Sequence, residues 1–361
     1  MGPAVRLPVL FILITVMLDA MGIGLIVPVM PDLIREIQGG TLAGAALWGG
    51  VLSTVFAVMQ FLFSPLLGNL SDRFGRRPVL LISLAVMTLD YLVMAVAGSI
   101  WLLLAGRLVG GITAATHGTA SAYMADISAA RDKAANFGLI GAGFGIGFVL
   151  GPLIGGTLGE FGTRAPFYAA AALAALNTAF GYFILRETVT DQIRRPFLWS
   201  RANPLGAFRS VARLPAIGNL LWVYFIYSVA FHVYPAVWSF FTMERFGWSP
   251  QTVGLSLALF GIMMALVQGG LIRLVLRWLG EWRTVVYGHL FDTVAFGLIA
   301  IVTSSTLALA MIVSPLMMTS VFAAFTRPGA AVYFPGAPFI VSLLLMLLSL
   351  ALFLRSRPPA A

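Results

Sequence analysis

The sequence predicts an all-α polytopic membrane protein, built as two helical bundles with about eleven spans in total. Three observations carry that prediction. Of the 361 residues, 60% are hydrophobic and only 10% charged, with a mean hydropathy of +0.97. A soluble domain carries roughly 25% charged residues. The apolar runs are each near the ~20 residues a helix needs to cross a bilayer, without the period-two alternation of a barrel strand. The basic residues sit between the runs, mostly on alternate sides of them. A net charge of +9 distributed in this way is membrane topology, not a nucleic-acid footprint. The chain has no cysteine, which excludes a disulfide framework and a thiolate metal site.

Taken in order, the runs fall at 7–31, 44–67, 79–98, 100–124, 135–160, 165–186, 217–242, 251–276, 283–304, 306–325 and 337–354. The first is too long for a signal peptide, and no small-residue cleavage site follows it. One set of run ends across the first nine runs holds 15 Lys and Arg, from Arg6 to Arg283. The opposite set holds 3, namely Arg35, Arg164 and Arg245. The positive-inside bias therefore predicts a cytoplasmic N-terminus.

Residues 187–215 form the longest polar stretch, with Pro196, Pro204 and Pro215 and five arginines against Glu187 and Asp191. They read as a central cytoplasmic linker between an N-terminal six-helix bundle, 1–186, and a C-terminal bundle, 216–361. A weak internal repeat pairs Gly68–Gly75 with Arg273–Gly280, and paired halves are a transporter architecture. The second half holds five runs and is expected to lack one span. The run 306–325 is expected to cross incompletely, because eleven full spans would carry Arg355 and Arg357 to the outside.

Chemistry-bearing residues stand out against this oily background. Gly68-Asn-Leu-Ser-Asp72-Arg73-Phe-Gly75-Arg76-Arg77-Pro78 is a short charged connection, with Pro78 opening the next run. Asp19 lies in the first run, with Pro28 and Pro31 beyond it. An acid in mid-span costs ~2.5–3.5 kcal/mol on insertion scales, so it should face a cavity or a partner. Both a functional role and a packing hydrogen bond are open for it. Asp90-Tyr91 and Gly106-Arg107 put one acid and one arginine in neighbouring spans, either as a proton-handling pair or as a static salt bridge. Gly143, Gly147, Gly151, Gly155 and Gly159 recur every fourth residue, a seam that lets another helix approach backbone to backbone, and Pro152 permits a bend. His289 and Asp292, three residues apart, share a helix face, but two ligands do not make a metal site. His117 and His232 stand alone and read as packing residues. The aromatic stretch from Tyr224 to Trp248 is either an interfacial belt or, in its deeper part, the lining of a site for a flat substrate. No nucleophile–base pair or metal set points to an enzyme.

The charged connection matches the signature between the second and third helices of the major facilitator superfamily. Gly147, Gly151, Pro152, Gly155 and Gly156 match the antiporter motif of its drug-exporting members. These segments, together with Asp19…Pro31, Asp90-Tyr91, Gly106-Arg107, Ala125-Asp126-Ile127, Arg186-Glu187-Thr188, Glu244–Trp248 and Asp292, resemble the tetracycline/proton antiporters over nearly all of 8–304. The resemblance implies multi-pass residence in a bacterial inner membrane and export of a small-molecule drug against protons. It implies no cofactor and no nucleic-acid partner, with tetracyclines carried as a divalent-cation chelate; a monomer is expected. It marks Asp19, Asp90, Arg107 and Asp292 for transport and proton coupling, and His289, one turn from Asp292, is expected to share in that coupling. It marks Gly68, Asp72, Arg73, Gly75, Arg76 and Arg77 as a gating loop, and Gln60, Trp238 and Gln268 as candidates to line the substrate cavity. Two departures bear on the choice of drug: no histidine lies near Met264, and His117 replaces a small residue.

Overall fold

The computed structural model describes residues 7–114, 116–199, 202–203, 218–266, 272–301 and 337–355. Among these, eight helical stretches are long and apolar enough to cross a membrane, accompanied by two shorter apolar helices, Pro250–Ala265 and Phe339–Leu352. Gln268 and the run 306–325 lie outside the described residues. Contacts divide the chain into two compact units, one of Met1–Val29 and Thr54–Arg209, the other of Met30–Ser53 and Ser210–Ala361.

The first unit contains α1 (Leu7–Ile26), the larger part of α3 (Leu42–Phe74), α4 (Arg76–Val96), α5 (Ile100–Thr113), α6 (Thr116–Ile127), α7 (Lys133–Gly159) and α8 (Ala165–Ile184). Its core gathers Phe11, Ile12, Leu80, Leu84, Tyr123 and Met124. The glycine seam of α7 finds its partner in α1. A Cβ on Gly143 would stand 2.6 Å from the Leu13 side chain, and one on Gly151 would stand 2.5 Å from the Met21 carbonyl oxygen. At Gly147 and Gly155 it would overlap the carbonyls of Met17 and Leu25. Leu13, Met17, Met21 and Leu25 are themselves spaced by four, so a four-residue row on each helix packs against the other. Backbones this close leave no room for a side chain. A buried polar contact joins α1 to α8, where Asn177 Nδ2 donates to Thr15 Oγ1 at 3.1 Å.

The second unit contains α2 (Met30–Gln38), the first turns of α3, α9 (Gly218–Phe231), α10 (Val233–Phe246), α11 (Pro250–Leu266), α12 (Ile272–Ile301) and α13 (Ala337–Arg355). The early turns of α3 belong here because Gly49 lies against Phe240: a Cβ on it would stand 2.8 Å from the ring. An aromatic core forms around Tyr234, Trp238, Phe241, Phe296 and Phe339, with the Phe241 and Phe339 rings 4.8 Å apart.

Several boundaries differ from the sequence reading, each for a local reason. The first run is two helices, because Pro28 disfavours continued helix at residues 27–29. The charged connection is largely helical: α3 continues to Phe74, its charged last turns standing outside the apolar run, and only Gly75 leaves the helix. The run 217–242 breaks at His232, with Pro235 three residues on, and α12 breaks at Gly280. Gly75 (φ 113°) and Gly280 (φ 72°) both take positive φ between two helices, as the weak repeat between the two segments suggests. The first part of the 187–215 stretch folds onto the first unit instead of hanging between two halves.

Candidate functional site

The end of α3 and the start of α4 gather three sequence-distant segments. Residues Arg76, Arg77 and Pro78 open α4, so two N–H groups there need acceptors and the third position has none to satisfy. Glu187 supplies the acceptors, taking the Arg76 N–H at 2.9 Å and the Arg77 N–H at 3.2 Å. The same carboxylate accepts from the Thr188 and Val189 N–H groups, both at 2.9 Å. A carboxylate at a helix N-terminus is also favoured by the helix dipole. Gly75 is required twice over. Its backbone, φ 113° and ψ 153°, lies in a region essentially reserved for glycine, and a Cβ there would stand 2.6 Å from Glu187 Cδ.

Arg76 ties the cluster together. Its Nη1 donates to Asp72 Oδ1 at 2.5 Å and to Ser71 Oγ at 3.2 Å, and its Nε donates to Asp126 Oδ2 at 3.2 Å. Thr188 Oγ1 also donates to Asp126, at 3.0 Å. Arg77 donates to the Tyr182 carbonyl at 2.8 Å and lies over the Tyr182 ring. The linker returns to the same place: the Arg195 N–H donates to the Asp72 carbonyl at 3.2 Å, and Asn69 Nδ2 to the Leu198 carbonyl at 2.7 Å. Arg73 is exposed and lines an open cleft of about 450 Å³ with Leu70, Phe74, Pro196 and Phe197. A Cβ on Gly68 would meet nothing within 4 Å, so its missing side chain is not a packing requirement of this unit.

Deeper in the first unit, Asp90 on α4 is 5% exposed and ion-paired with Arg107 Nη2 on α5. Gly106 and Gly110 make room for the carboxylate, since a Cβ on either would come within 2.9 Å of an Asp90 oxygen. The Arg107 guanidinium lies over the Phe56 ring, 4.9 Å from its centroid. Asp90 Oδ1 and Arg107 Nε are buried without a hydrogen-bond partner among the described residues. Tyr91 links this pair to α1: its hydroxyl fills the space over Gly22 and feels the charges of both Asp19 and Asp90. Asp19 itself is half-buried. Gln60 is placed by α3 so that its Nε2 donates to the Ala114 carbonyl at 3.0 Å, where the span Ile100–Ile127 is broken between α5 and α6.

The second unit holds Asp292 half-buried on α12, within electrostatic range of Tyr227 and Tyr234. The Tyr234 hydroxyl is buried without a hydrogen-bond partner among the described residues. His289 is buried, its Nδ1 at 2.9 Å from the Val285 carbonyl and its Nε2 at 3.2 Å from Ser349 Oγ. Its ring also meets that of Tyr227, at 5.3 Å between centroids. Trp238 is 1% exposed, and its indole N–H is committed to Ser256 Oγ at 2.8 Å, which gives it a packing position. Gly147, Gly151, Pro152, Gly155 and Gly156 are all buried on α7.

The sequence alone assigns no task to Asp126 or Glu187. Glu187 lies 111 residues from the N–H it caps on Arg76, beyond the reach of any local pattern. A shared charge deficit was the available signal: three arginines against one acid in 68–78 require acids from elsewhere.

The chain is similar in sequence and in fold to known proteins. The family model described as Major Facilitator Superfamily matches residues 12–337. The class C tetracycline resistance protein of Escherichia coli is 44% identical over 297 residues, spanning 82% of this chain and 74% of that protein. The class E tetracycline resistance protein of Escherichia coli is 40% identical over 302 residues, spanning 82% and 73%. Among solved structures, the human organic anion transporter MFSD10 superposes with a TM-score of 0.71 at 26% identity, over 98% of this chain and 100% of that one.

Proposed function

The chain belongs to the major facilitator superfamily and, within it, to the tetracycline resistance proteins, and from that premise we propose that it exports a tetracycline-like amphiphilic drug in exchange for protons. The observation that carries the proposal is the set of three acids placed inside membrane-spanning segments. In the first unit Asp19 lies on α1 and Asp90 on α4, and the hydroxyl of Tyr91, next to Asp90 in sequence, reaches Gly22 of α1; in the second unit Asp292 lies half-buried on α12. Burying such groups is costly unless each has a proton or a cationic partner, and exchange between the two is what proton-coupled export needs. A carboxylate can hold a cationic drug or a drug–divalent cation chelate. A proton taken from outside neutralises the carboxylate and weakens that hold, and inward release restores it. Arg107 keeps its charge at any working pH and so holds Asp90 ready for either role.

The distribution of Lys and Arg supports a cytoplasmic N-terminus in a bacterial inner membrane and, with it, a cytoplasmic position for the Arg76 cluster. There the cluster acts as a latch. Asp72, Arg76, Asp126 and Glu187 stabilise one of the two access states, and their separation accompanies the other. The protein works as a monomer in the bilayer. Everted membrane vesicles test the proposal. Uptake of tetracycline with Mg²⁺ should follow an imposed proton gradient and stop on adding an uncoupler. Uptake that ignores the gradient would refute the exchange, and no uptake of any drug would refute export.

A further inference from the structure

The stretch from Gly110 to Thr119, Gly-Gly-Ile-Thr-Ala-Ala-Thr-His-Gly-Thr, is poor helix in the middle of a 28-residue span. α5 ends at Thr113, Ala114 turns out of the helix (φ −69°, ψ 13°), and α6 starts at Thr116. The freed carbonyl of Ala114 is taken by Gln60, and the Thr113 hydroxyl returns to the carbonyls of Val109 and Gly110, each at 3.3 Å. Broken backbone at membrane depth is tolerated only inside protein or beside a water-filled cavity.

His117 follows the break within one turn. It lies ten residues before the end of the span at Ile127, roughly 15 Å along a helix and so near the midplane. The sequence reading treats it as a packing residue, but its side chain is exposed. Its ring meets Phe144 of α7 edge-on at 5.9 Å, and Phe144 lies nearly parallel to Phe148, 16° between planes and 6.3 Å between centroids. Its nitrogens make no hydrogen bond among the described residues. An imidazole with both nitrogens open to hydrocarbon is costly, so this face fits a polar cavity better than lipid.

We propose that His117, backed by Phe144 and Phe148, is a specificity-determining contact for a flat, fused-ring substrate with hydroxyl or carbonyl groups along one edge. The proposal rests on the export reading above and adds a residue to it. The imidazole offers one donor and one acceptor to the oxygenated edge, and the phenyl rings take the flat face. Substrates of the same shape without the edge would gain the rings but not the imidazole.

Equilibrium binding to purified protein in detergent tests it without requiring transport. The probes are tetracycline with Mg²⁺, which has an oxygenated edge, and N-methylacridinium, a flat fused-ring cation with no hydrogen-bonding group. His117→Ala should weaken tetracycline about 5–10-fold, the loss of one hydrogen bond, and change N-methylacridinium less than 2-fold. His117→Gln, which keeps a donor and an acceptor, should recover most of the tetracycline affinity. Phe144→Ala should weaken both probes. In the wild-type protein, tetracycline should protect His117 from diethyl pyrocarbonate, followed by peptide mass among the three histidines of the chain. Equal loss of both probes in His117→Ala, a fallen melting temperature that accounts for the loss, or unprotected modification would each overturn the assignment. Wild-type protein that binds neither probe would overturn it too. Vesicle uptake that ignores the proton gradient while His117 discriminates the probes would refute only the exchange mechanism.

Discussion

Replacing Gly75 by alanine should damage the helix-end cluster by two separable routes. The first is backbone strain: φ 113° with ψ 153° is a glycine-only region, and an L residue held there costs about 1–3 kcal/mol. The second is displacement of Glu187, because the new Cβ would stand 2.6 Å from its Cδ and 3.0 Å from its Oε1. Moving that carboxylate frees the Arg76 and Arg77 N–H groups, a lost cap of about 0.5–2 kcal/mol. The sum is roughly 1.5–5 kcal/mol. At roughly 2–4 °C per kcal/mol for a folding unit of this size, the melting temperature should fall by about 3–20 °C. Intrinsic fluorescence of the eight tryptophans in detergent reads it. Glu187→Ala alone removes only the cap. The double variant counts the cap once, so its loss should be smaller than the sum of the singles by about 0.5–2 kcal/mol. A Gly75→Ala protein melting with the wild type, or two losses that add within about 0.5 kcal/mol, would refute the reasoning.

Asp90→Ala and Arg107→Ala should each destabilise by about 3–5 kcal/mol, because either leaves a buried charge unpaired, and the double variant should be less damaged than either; survival of folded protein on heating in detergent distinguishes the cases. Asp292→Asn should leave the membrane level of the protein unchanged and abolish proton-driven uptake into everted vesicles, and uptake at the wild-type rate would remove it from the coupling scheme. Within α7, Gly151→Ala should cost about 1–3 kcal/mol by forcing α1 away. Gly141→Ala, where a Cβ meets nothing within 4 Å, should be neutral or gain up to about 1 kcal/mol of helix propensity. Melting temperatures of the two variants read the contrast.

Run length, glycine spacing and charge asymmetry made much of the fold legible, because each is written within a single helix. The seam at Gly143 to Gly155 is such a case: spacing by four declares a close approach whatever the partner. That the partner is α1, with Leu13, Met17, Met21 and Leu25 in register, was not legible, because those residues are ordinary apolar ones. The same limit explains α2 and the early turns of α3. Their sequence says only that they are helical, and the contact of Gly49 with Phe240 that assigns them to the second unit spans 191 positions. The break after Thr113 is not legible in run length, because the apolar run continues across it, although glycine and threonine crowd the stretch.

The candidate site divides along a different line, the degree to which each charge is satisfied. At the helix ends the Arg76 side chain has three partners and Glu187 accepts four N–H groups, so most of the cluster is satisfied internally, while the Arg77 Nε is buried without a hydrogen-bond partner among the described residues. Inside the first unit the pair is incomplete: Asp90 meets Arg107 through one oxygen, while Oδ1 and the Arg107 Nε have no partner among the described residues. A half-satisfied buried network is costly to keep and gains when a further hydrogen-bonding group arrives. The sequence displayed both sets as charged residues in an oily chain, and its motifs weighted them alike. The partners set them apart: both Asp72 oxygens and the Asp126 Oδ2 meet arginine or threonine donors, whereas Asp90 leaves one buried oxygen without a partner among the described residues.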